Sequence, residues 1–426
     1  MSQSHYMRTI LDLKDKNITF PDFRCEEKRI NGRLSKVFYG ILSYTPHRCA
    51  NCGMKKEGFS IIKHGLKTSR VTLNSTSHYP TYLMLKKQRF YCKQCKSTFC
   101  AETPEVERHC FIANTVKYSI AVEAKDKISE KDLARRHHVS PTTTSRVIQK
   151  MAAQFRLALH SLPKHLSFDE FHSVQKQMSF IYINAVSHEV IDVLPDRRLD
   201  TLRSHFNRYT QETRAGVETI VIDMNTPYLT LIHELFPHAK IIIDPFHFVQ
   251  LVSRSLNQTR VKVMNKYRTF RSEDLKNYRK LKRYWRLGLK READLNPFDY
   301  SYQRLFKGMK SQTGIMTYLL ALDEEYKTTY DFYQDLLHAY DQKDFTLFQE
   351  TLTQAPKGLS SYMKTSVRTL KKYCSYVENT FLYPYTNGPI EGINNKIKVI
   401  KRIAFGFRSF SKFKTRILIS CNTIQK

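Results

Sequence analysis

Apolar residues change their spacing along the chain, and each change predicts a different kind of element. Between residues 165 and 244 they form short runs rich in Ile and Val, which are typical of buried strands. This order predicts three antiparallel strands that two parallel strands extend through helical crossovers. The predicted strands are 165–171, 178–186, 189–194, 218–223 and 239–244, with helices at about 199–215 and 227–236.

A helical pattern with cap residues covers 129–150. Ser129 and Ser140 suit the N-cap position, and Pro141 suits the first turn of a second helix. Such a pair predicts a helix-turn-helix, in which the N-terminal half of the second helix enters the major groove of DNA, with an ordinary helical hairpin as the alternative. The residues predicted to be exposed there are Thr142, Thr143, Thr144, Ser145 and Arg146.

Residues 250–385 have apolar positions at steps of three and four, for example over 315–340, and predict an all-helical segment. Trp285, the single tryptophan, lies in a basic part of this segment. We interpret its side chain as a hydrophobic anchor, with stacking on a DNA base as the alternative.

The balance of charges indicates the partner. The 426 residues include 70 Lys and Arg against 39 Asp and Glu, a formal net charge of +31. Double-stranded DNA fits this charge best, because each neutralised phosphate releases a counterion. A generally basic surface and an anionic membrane are the alternatives. Apolar runs are far shorter than the roughly 20 residues of a transmembrane helix, and the N-terminus lacks the apolar stretch of a secretory signal, so we expect a soluble, intracellular protein with no membrane partner.

Four of the nine cysteines form two Cys-x-x-Cys pairs. Two such pairs complete the tetrahedral sulfur set that structural Zn²⁺ prefers. Disulfides are the alternative, but the odd cysteine total argues against them. The predicted zinc ligands are Cys49, Cys52, Cys92 and Cys95, and one of them could be replaced by Cys100, Cys110, His47 or His109.

Carboxylates accompany three of the predicted strands. Asp169 lies in the first strand, and Asp223 and Asp244 end the fourth and fifth. The fourth strand would pair beside the first at about 4.8 Å, so Asp223 could face Asp169 across a shared metal. Because Asp244 would lie roughly twice as far from the first strand, we favour Asp223 as the second acid and keep Asp244 as the alternative. Converging carboxylates suit two Mg²⁺ (or Mn²⁺) ions that bind the attacking and leaving oxygens of a phosphodiester.

A third carboxylate comes from the C-terminal region. Asn387-Gly388 predicts a turn and Pro389 a helix start, which puts Glu391 in the first helical turn. A surface helix with a capping glutamate is the alternative. Polar residues predicted to follow on the same face are Asn394, Asn395 and Lys398. The DNA-binding candidates in this region are Lys398, Arg402 and Arg408.

The predicted strand order is that of the ribonuclease H-like fold, and the motifs in it are specific as a set. The segments Phe168-Asp-Glu-Phe171, Ile222-Asp-Met-Asn225, 236–249 and Asn387-Gly-Pro-Ile-Glu-Gly-Ile-Asn-Asn-Lys396 resemble the catalytic blocks of DDE transposases of bacterial insertion sequences, in particular the ISL3 family. The resemblance covers nearly the whole chain. It implies Asp169, Asp223 and Glu391 as the acidic triad for catalytic Mg²⁺, with Asp244 and His247 as a secondary D-x-x-H element.

The resemblance also implies the domain organisation, a multidomain α+β and α/β chain. Its segments would be a zinc ribbon domain (1–115), a helix-turn-helix (116–160), a ribonuclease H-like catalytic domain (161–249 and 386–426) and a helical insertion (250–385).

The implied function is a DNA transposase that binds its terminal inverted repeats and cleaves and transfers DNA strands, as a homo-oligomer associated with the bacterial nucleoid in the cytoplasm. The alternative is a non-catalytic, sequence-specific regulator on an inactive nuclease fold. A structure-specific nuclease would leave the two DNA-reading modules unexplained.

Overall fold

The computed structural model describes residues 3–22, 24–126, 128–155 and 157–422, which form two compact units. The first unit combines the chain up to Arg156 with the segment Asn395–Lys426, and the second spans Leu157–Asn394. This division differs from the predicted one, which grouped all of 386–426 with the catalytic sheet.

The first unit is built on a six-stranded sheet with the main order β1-β3-β5-β4, in which β2 pairs with β3 and β6 with β5. The strands β4 and β5 form a long antiparallel hairpin, and β3 runs parallel to β5. The elements are α1 (Gln3–Ile10), β1 (Ile18–Thr19), β2 (Cys25–Ile30), β3 (Arg33–Leu42), β4 (Ile61–Thr76), β5 (Tyr79–Cys92) and β6 (Ser97–Cys100).

Helices complete the first unit. The helices that follow the sheet are α2 (Asn114–Glu123), α3 (Glu130–Arg136) and α4 (Pro141–Ala152). The C-terminal helix, Phe410–Cys421, packs on α4, and its Ile419 joins a buried cluster with Leu133 and Ile148. This apolar contact explains why the C-terminal segment belongs to the first unit.

The second unit contains a five-stranded sheet of order β11-β10-β7-β8-β9. The strands β7, β8 and β9 are antiparallel neighbours, while β10 runs parallel to β7 and β11 parallel to β10, so the predicted topology is confirmed. The elements are β7 (His165–His172), β8 (Met178–Asn184), β9 (Val190–Leu194), α5 (Leu199–Phe206), α6 (Gln211–Ala215), β10 (Thr219–Ile222), α7 (Thr226–Leu235) and β11 (Lys240–Ile243).

The helical stretch predicted at about 199–215 consists of two separate helices, α5 and α6. Thr210 starts the second of them by accepting a hydrogen bond from the Thr213 N–H at 3.2 Å. A cap of this kind lets the chain leave one helix and begin another.

The rest of the second unit is mostly helical and packs around α8, which shares one buried core with the sheet. An all-helical segment was the prediction, and it was wrong at a short antiparallel hairpin, β12–β13. The elements are α8 (Pro245–Lys266), α9 (Ser272–Arg283), β12 (Ser301–Gln303), β13 (Gly308–Lys310), α10 (Gln312–Leu320), α11 (Glu324–Asp341), α12 (Phe345–Thr353), α13 (Ser361–Lys372) and α14 (Cys374–Leu382).

The last two helices are α15 (Gly388–Ile403), which begins in the second unit and ends in the first, and α16 (Phe410–Cys421). Across the described part of the chain, every helix is too short or too polar to cross a membrane.

Candidate active site and zinc centre

The four predicted zinc ligands lie together in the first unit. The Sγ atoms of Cys49 and Cys95 are 3.7 Å apart, those of Cys52 and Cys92 are 3.8 Å apart, and all four lie within 4.8 Å of one another. A disulfide would require about 2.0 Å. Sulfurs arranged tetrahedrally at about 2.3 Å from Zn²⁺ are about 3.8 Å apart, so the donor set fits a structural zinc ion.

Hydrogen bonds favour the thiolate forms of two of these cysteines. The Ser97 hydroxyl, 2.9 Å from the Cys95 sulfur, contributes most to lowering the pKa of Cys95 to about 6. Burial raises the pKa of Cys49. Hydrogen bonds, chiefly from the backbone N–H groups of Cys52 and Asn51, lower it by more than burial raises it, so the net shift is downward. Because the thiolate is the form that binds metal, both shifts favour Zn²⁺ binding.

The helices α3 and α4 begin at the predicted caps. The Ser129 hydroxyl accepts a hydrogen bond from the Asp132 N–H at 3.1 Å, and the Ser140 hydroxyl accepts one from the Thr143 N–H at 3.1 Å. Pro141 occupies the first turn of α4. Both helix starts therefore match the predicted caps, while the helix-turn-helix itself stays a prediction.

One of the five residues predicted to be exposed at the start of α4 is buried instead. Thr144 is fully buried, and its hydroxyl donates to the Ser140 carbonyl at 3.4 Å. Its position explains the error, because Thr144 lies three residues before the buried Val147 and therefore on the same inner face of α4. Of the other four, Thr142 and Arg146 are exposed and Thr143 and Ser145 are half-buried.

Three carboxylates lie in one row across the second sheet. Val221 pairs with Ser167 on β7, and Ile222 pairs with Ile243 on β11. Continuing these registers puts Asp223 level with Asp169 on one side and with Asp244 on the other. Neighbouring positions in parallel strands point to the same face at a spacing of about 4.8 Å. Asp223 is therefore the central acid of the row, next to β7, and Asp244 lies about twice as far from β7.

His247 joins the acids at the start of α8. Its Nε2 is 2.8 Å from Asp223 Oδ1 and 3.9 Å from Asp244 Oδ2. One ligand atom from each of these three residues lies within 4.8 Å of the others, a spacing that suits a metal ion. Asp244 is buried, and its Oδ2 has no hydrogen-bond partner. An unpaired buried carboxylate oxygen is costly, and a bound cation would offset that cost.

The pKa values of Asp169, Asp244 and His247 are all raised, for different reasons. Burial, and then the charges of Asp223 and Glu391, raise the pKa of Asp169 to about 7. Burial also raises the pKa of Asp244. The hydrogen bond to Asp223 is the main reason that the pKa of His247 is raised. Hard divalent cations prefer such oxygen donors, and their charge would stabilise the ionised carboxylates.

Glu391 lies in the first turn of α15, as predicted. Its charge acts on Asp169, Asp244 and His247, although its carboxylate is outside the cluster formed by Asp223, Asp244 and His247. The structure thus brings three of the predicted residues into contact distance and holds Asp169 and Glu391 within electrostatic reach of them.

Sequence reasoning missed Asn387, which we had interpreted only as a turn residue. It is buried, and its Nδ2 donates to Asp223 Oδ1 at 3.2 Å and to the Phe168 carbonyl at 3.3 Å. Its backbone N–H donates to Asp244 Oδ1 at 3.1 Å. The available signal was an asparagine directly before the Glu391 helix, but no local pattern indicated its burial or its partners.

Asn394 contacts the remaining acid. Its Nδ2 donates to Asp169 Oδ2 at 2.7 Å, and its own Oδ1 is buried without a partner. Asn387, Glu391 and Asn394 are spaced by four and three residues, so they share one face at the start of α15. Two amides therefore connect the Glu391 helix to the strands that carry the other acids.

The other C-terminal candidates lie in the first unit. Asn395 and Lys398 are exposed, and Lys398 Nζ donates to Asn395 Oδ1 at 3.3 Å. Arg402 and Arg408 are exposed as well. Ile397 and Ile400 are buried as predicted, whereas Ile393 is only half-buried.

Comparison with known proteins identifies the chain. Residues 166–417 match the ISL3 family of DDE transposases, and residues 45–95 match the zinc finger of the transposases of IS204, IS1001, IS1096 and IS1165. The chain belongs to the ISL3 family of DDE transposases. It is therefore a DNA transposase that uses divalent-metal catalysis and carries a structural zinc site.

Two relatives show how far the similarity extends. The transposase for insertion sequence element IS1001 of Bordetella parapertussis is 25% identical to this transposase over 378 residues, 87% of each chain. A Lactococcus lactis subsp. lactis protein named ATP-dependent protease is 40% identical over 112 residues, 26% of this transposase and 35% of that protein. The second similarity thus spans about a third of the Lactococcus protein's length.

Proposed function

We propose that Asp169, Asp223 and Glu391 hold the divalent ions with which this transposase cleaves DNA at the terminal inverted repeats of its insertion sequence and transfers the strands to a target. The observation that carries the proposal is the row of acids across β7, β10 and β11, which two buried amides connect to the Glu391 helix. Asp244 remains the alternative second acid, because it is level with Asp223.

The strand order of the five-stranded sheet supports a ribonuclease H-like catalytic domain, with residues 250–385 inserted between its last strand and the Glu391 helix. The acids at the carboxyl ends of β10 and β11 are where this class of sheet presents functional groups. We assign 161–249 and the start of α15 to this domain.

Two ions of the Mg²⁺ type, when bound, would stabilise the attacking and leaving oxygens of a phosphodiester. The chain's own residues orient the carboxylates that would hold these ions. Asp223 accepts hydrogen bonds from both Asn387 and His247, so its carboxylate has one defined orientation. Asn394 fixes Asp169 in the same way. Orientation of this kind lowers the cost of assembling the reacting groups.

DNA recognition would be shared by the two modules of the first unit. The exposed N-terminal part of α4 would enter a major groove, where Thr142 would face base edges and Arg146 would contact a phosphate. The basic side chains behind the net charge of +31 would contact phosphates, which position the DNA without reading its sequence. On its DNA the transposase would act as a homo-oligomer associated with the nucleoid.

A strand-cleavage assay tests the proposal against the alternative of a non-catalytic regulator. The transposase is mixed with duplex DNA that carries its terminal inverted repeat, with or without added Mg²⁺. Nicking that requires Mg²⁺ and disappears in Asp169→Asn and Glu391→Gln supports the proposal. Binding of the same DNA without nicking under any metal condition would support the regulator instead.

A further inference from the structure

Large apolar side chains are exposed between residues 285 and 309 at a density that no other stretch of this length reaches in the described part of the chain. Phe298 is 88% exposed and Tyr302 66% exposed. Clustered exposed rings in a folded protein mark binding surfaces, because burying them is favourable. We name this cluster the aromatic hairpin; its members are Phe298, Tyr300, Tyr302 and Met309.

The hairpin geometry gathers these side chains on one side. Tyr302 on β12 is directly opposite Met309 on β13. Tyr300 precedes Tyr302 by two residues, so along an extended strand both point to the same face. The turn of the hairpin is anchored instead, since the Phe306 ring packs 5.0 Å from that of Tyr318. The exposed face is thus held in place by an anchored turn.

Charge indicates the occupant. Residues 280–310 contain nine Lys or Arg against three Asp or Glu, a net charge of +6. A second copy of this chain would bring the same positive charge against it, which disfavours a symmetric protein interface. Nucleic acid satisfies both features, because cations bind its phosphates and aromatic rings stack on any base. The exposed cations are Lys282, Arg283, Arg286, Lys290, Arg304 and Lys307.

The approach to the hairpin runs toward the acids. Arg260 of α8 donates to the Leu281 carbonyl at 2.8 Å, and the Tyr333 hydroxyl links Ser253 of α8 (3.2 Å) to the Leu289 carbonyl (3.1 Å). From Arg260 to Ser253 the helix rises about 10 Å, and from Ser253 to His247 about 9 Å more. The segment 281–289 therefore returns along α8 in the direction of His247.

The hairpin is rooted at the end of that approach. Lys290 Nζ donates to Gln312 Oε1 at 3.0 Å, and the Gln312 N–H donates to the Asn296 carbonyl at 3.1 Å. Both ends of the excursion 296–312 thus lie beside Lys290. We infer that the aromatic hairpin binds unstacked bases of the DNA strand whose phosphodiester lies at the acids; this inference rests on the proposed function.

The test measures binding by fluorescence anisotropy in buffer without Mg²⁺ or Mn²⁺, where no cleavage occurs and the zinc site keeps its ion. The full chain is titrated with a labelled single-stranded oligonucleotide and with the duplex of the same sequence. The double variant Tyr300→Ser/Tyr302→Ser should weaken single-strand binding by about tenfold or more and change duplex binding by less than about threefold. The single variant Tyr302→Phe keeps both aromatic rings and should bind the single strand as tightly as the wild type. The matched control Phe270→Ser/Tyr362→Ser removes two exposed rings elsewhere in the second unit and should leave both affinities unchanged.

Unchanged single-strand binding in the double variant would overturn the inference, as would an equal loss for both DNA forms. Loss of self-association in analytical ultracentrifugation, with DNA binding intact, would identify a protein interface instead and would also overturn it. Because binding is measured without Mg²⁺ or Mn²⁺, its outcome is independent of whether Asp169, Asp223 and Glu391 support cleavage.

Discussion

The side-chain amide of Asn387 donates a 3.2 Å hydrogen bond to Asp223, a residue 164 positions earlier in the chain. The same residue contacts Phe168 on β7 and Asp244 after β11. One buried residue therefore joins three neighbouring strands and fixes the carboxylate that lies at the centre of the row. Groups that orient metal ligands in this way affect metal affinity without touching the metal.

Replacing Asn387 should weaken metal binding and cleavage together. Asn387→Ala removes the hydrogen bond that orients Asp223, and Asn387→Asp places a carboxylate against it. We expect Mn²⁺ affinity and cleavage rate each to fall by about 10- to 100-fold, more in the aspartate variant, as measured by calorimetry and strand cleavage. A merely structural role would instead lower the thermal midpoint and leave the Mn²⁺ affinity of the folded fraction unchanged.

Asn395→Ala is the control for this pair, since Asn395 is an exposed amide on the same helix. It should change neither quantity. Mn²⁺ affinity within twofold of wild type in both Asn387 variants would show that this amide does not position the metal ligands.

The sequence predicted what depends on local patterns and missed what depends on distant contacts. The strand order, the caps at Ser129 and Ser140 and the four clustered cysteines follow from periodicity, cap chemistry and ligand spacing. Thr144 was misjudged because burial depends on which helix face packs inward. The role of Asn387 could not be predicted, because its partners lie more than a hundred residues away.

The second acid can be assigned by two isosteric substitutions. Asp223→Asn should lower the cleavage rate by at least about 100-fold while binding of the terminal repeat stays within twofold, because only the charge is lost. Asp244→Asn should have the smaller effect if Asp223 is the metal ligand. Asp200→Asn, at a fully exposed acid on α5, is the control. Cleavage that survives Asp223→Asn and disappears in Asp244→Asn would transfer the role to Asp244.

Metal binding should depend on pH through Asp169. Its pKa of about 7 in the metal-free protein means that the carboxyl is mostly protonated below pH 7, and a metal ion must displace that proton. Mn²⁺ affinity should therefore fall as pH decreases through about 7 and level off above about 8. Calorimetry in buffers of different ionisation enthalpy should detect a proton released on binding at pH 6.5. An affinity independent of pH between 6 and 8 would contradict the prediction.

Zinc removal should unfold the zinc-binding part of the first unit. Metal analysis of the purified chain should find about one Zn²⁺ per chain, and Cys92→Ser should lose it, because a tetrahedral site needs all four thiolates. The binding free energy of a structural zinc ion is folding free energy, so the thermal transition of the N-terminal region should shift down or disappear. Cys110→Ser, outside the cluster, should keep the metal and the transition. A fully folded Cys92→Ser protein without zinc would argue against a structural site.

Two neighbouring residues of α4 should separate DNA contact from packing. Arg146 is exposed, and Arg146→Ala should weaken binding of the terminal repeat by about tenfold and reduce the salt dependence of binding by about one phosphate contact. Thr144 is buried, and Thr144→Val should leave DNA affinity unchanged while altering the free energy of unfolding by about 1 kcal/mol through its lost hydroxyl. Filter binding over a range of salt concentrations and chemical denaturation measure the two effects. Equal DNA affinity for Arg146→Ala and wild type at every salt concentration would show that this face of α4 does not meet the DNA.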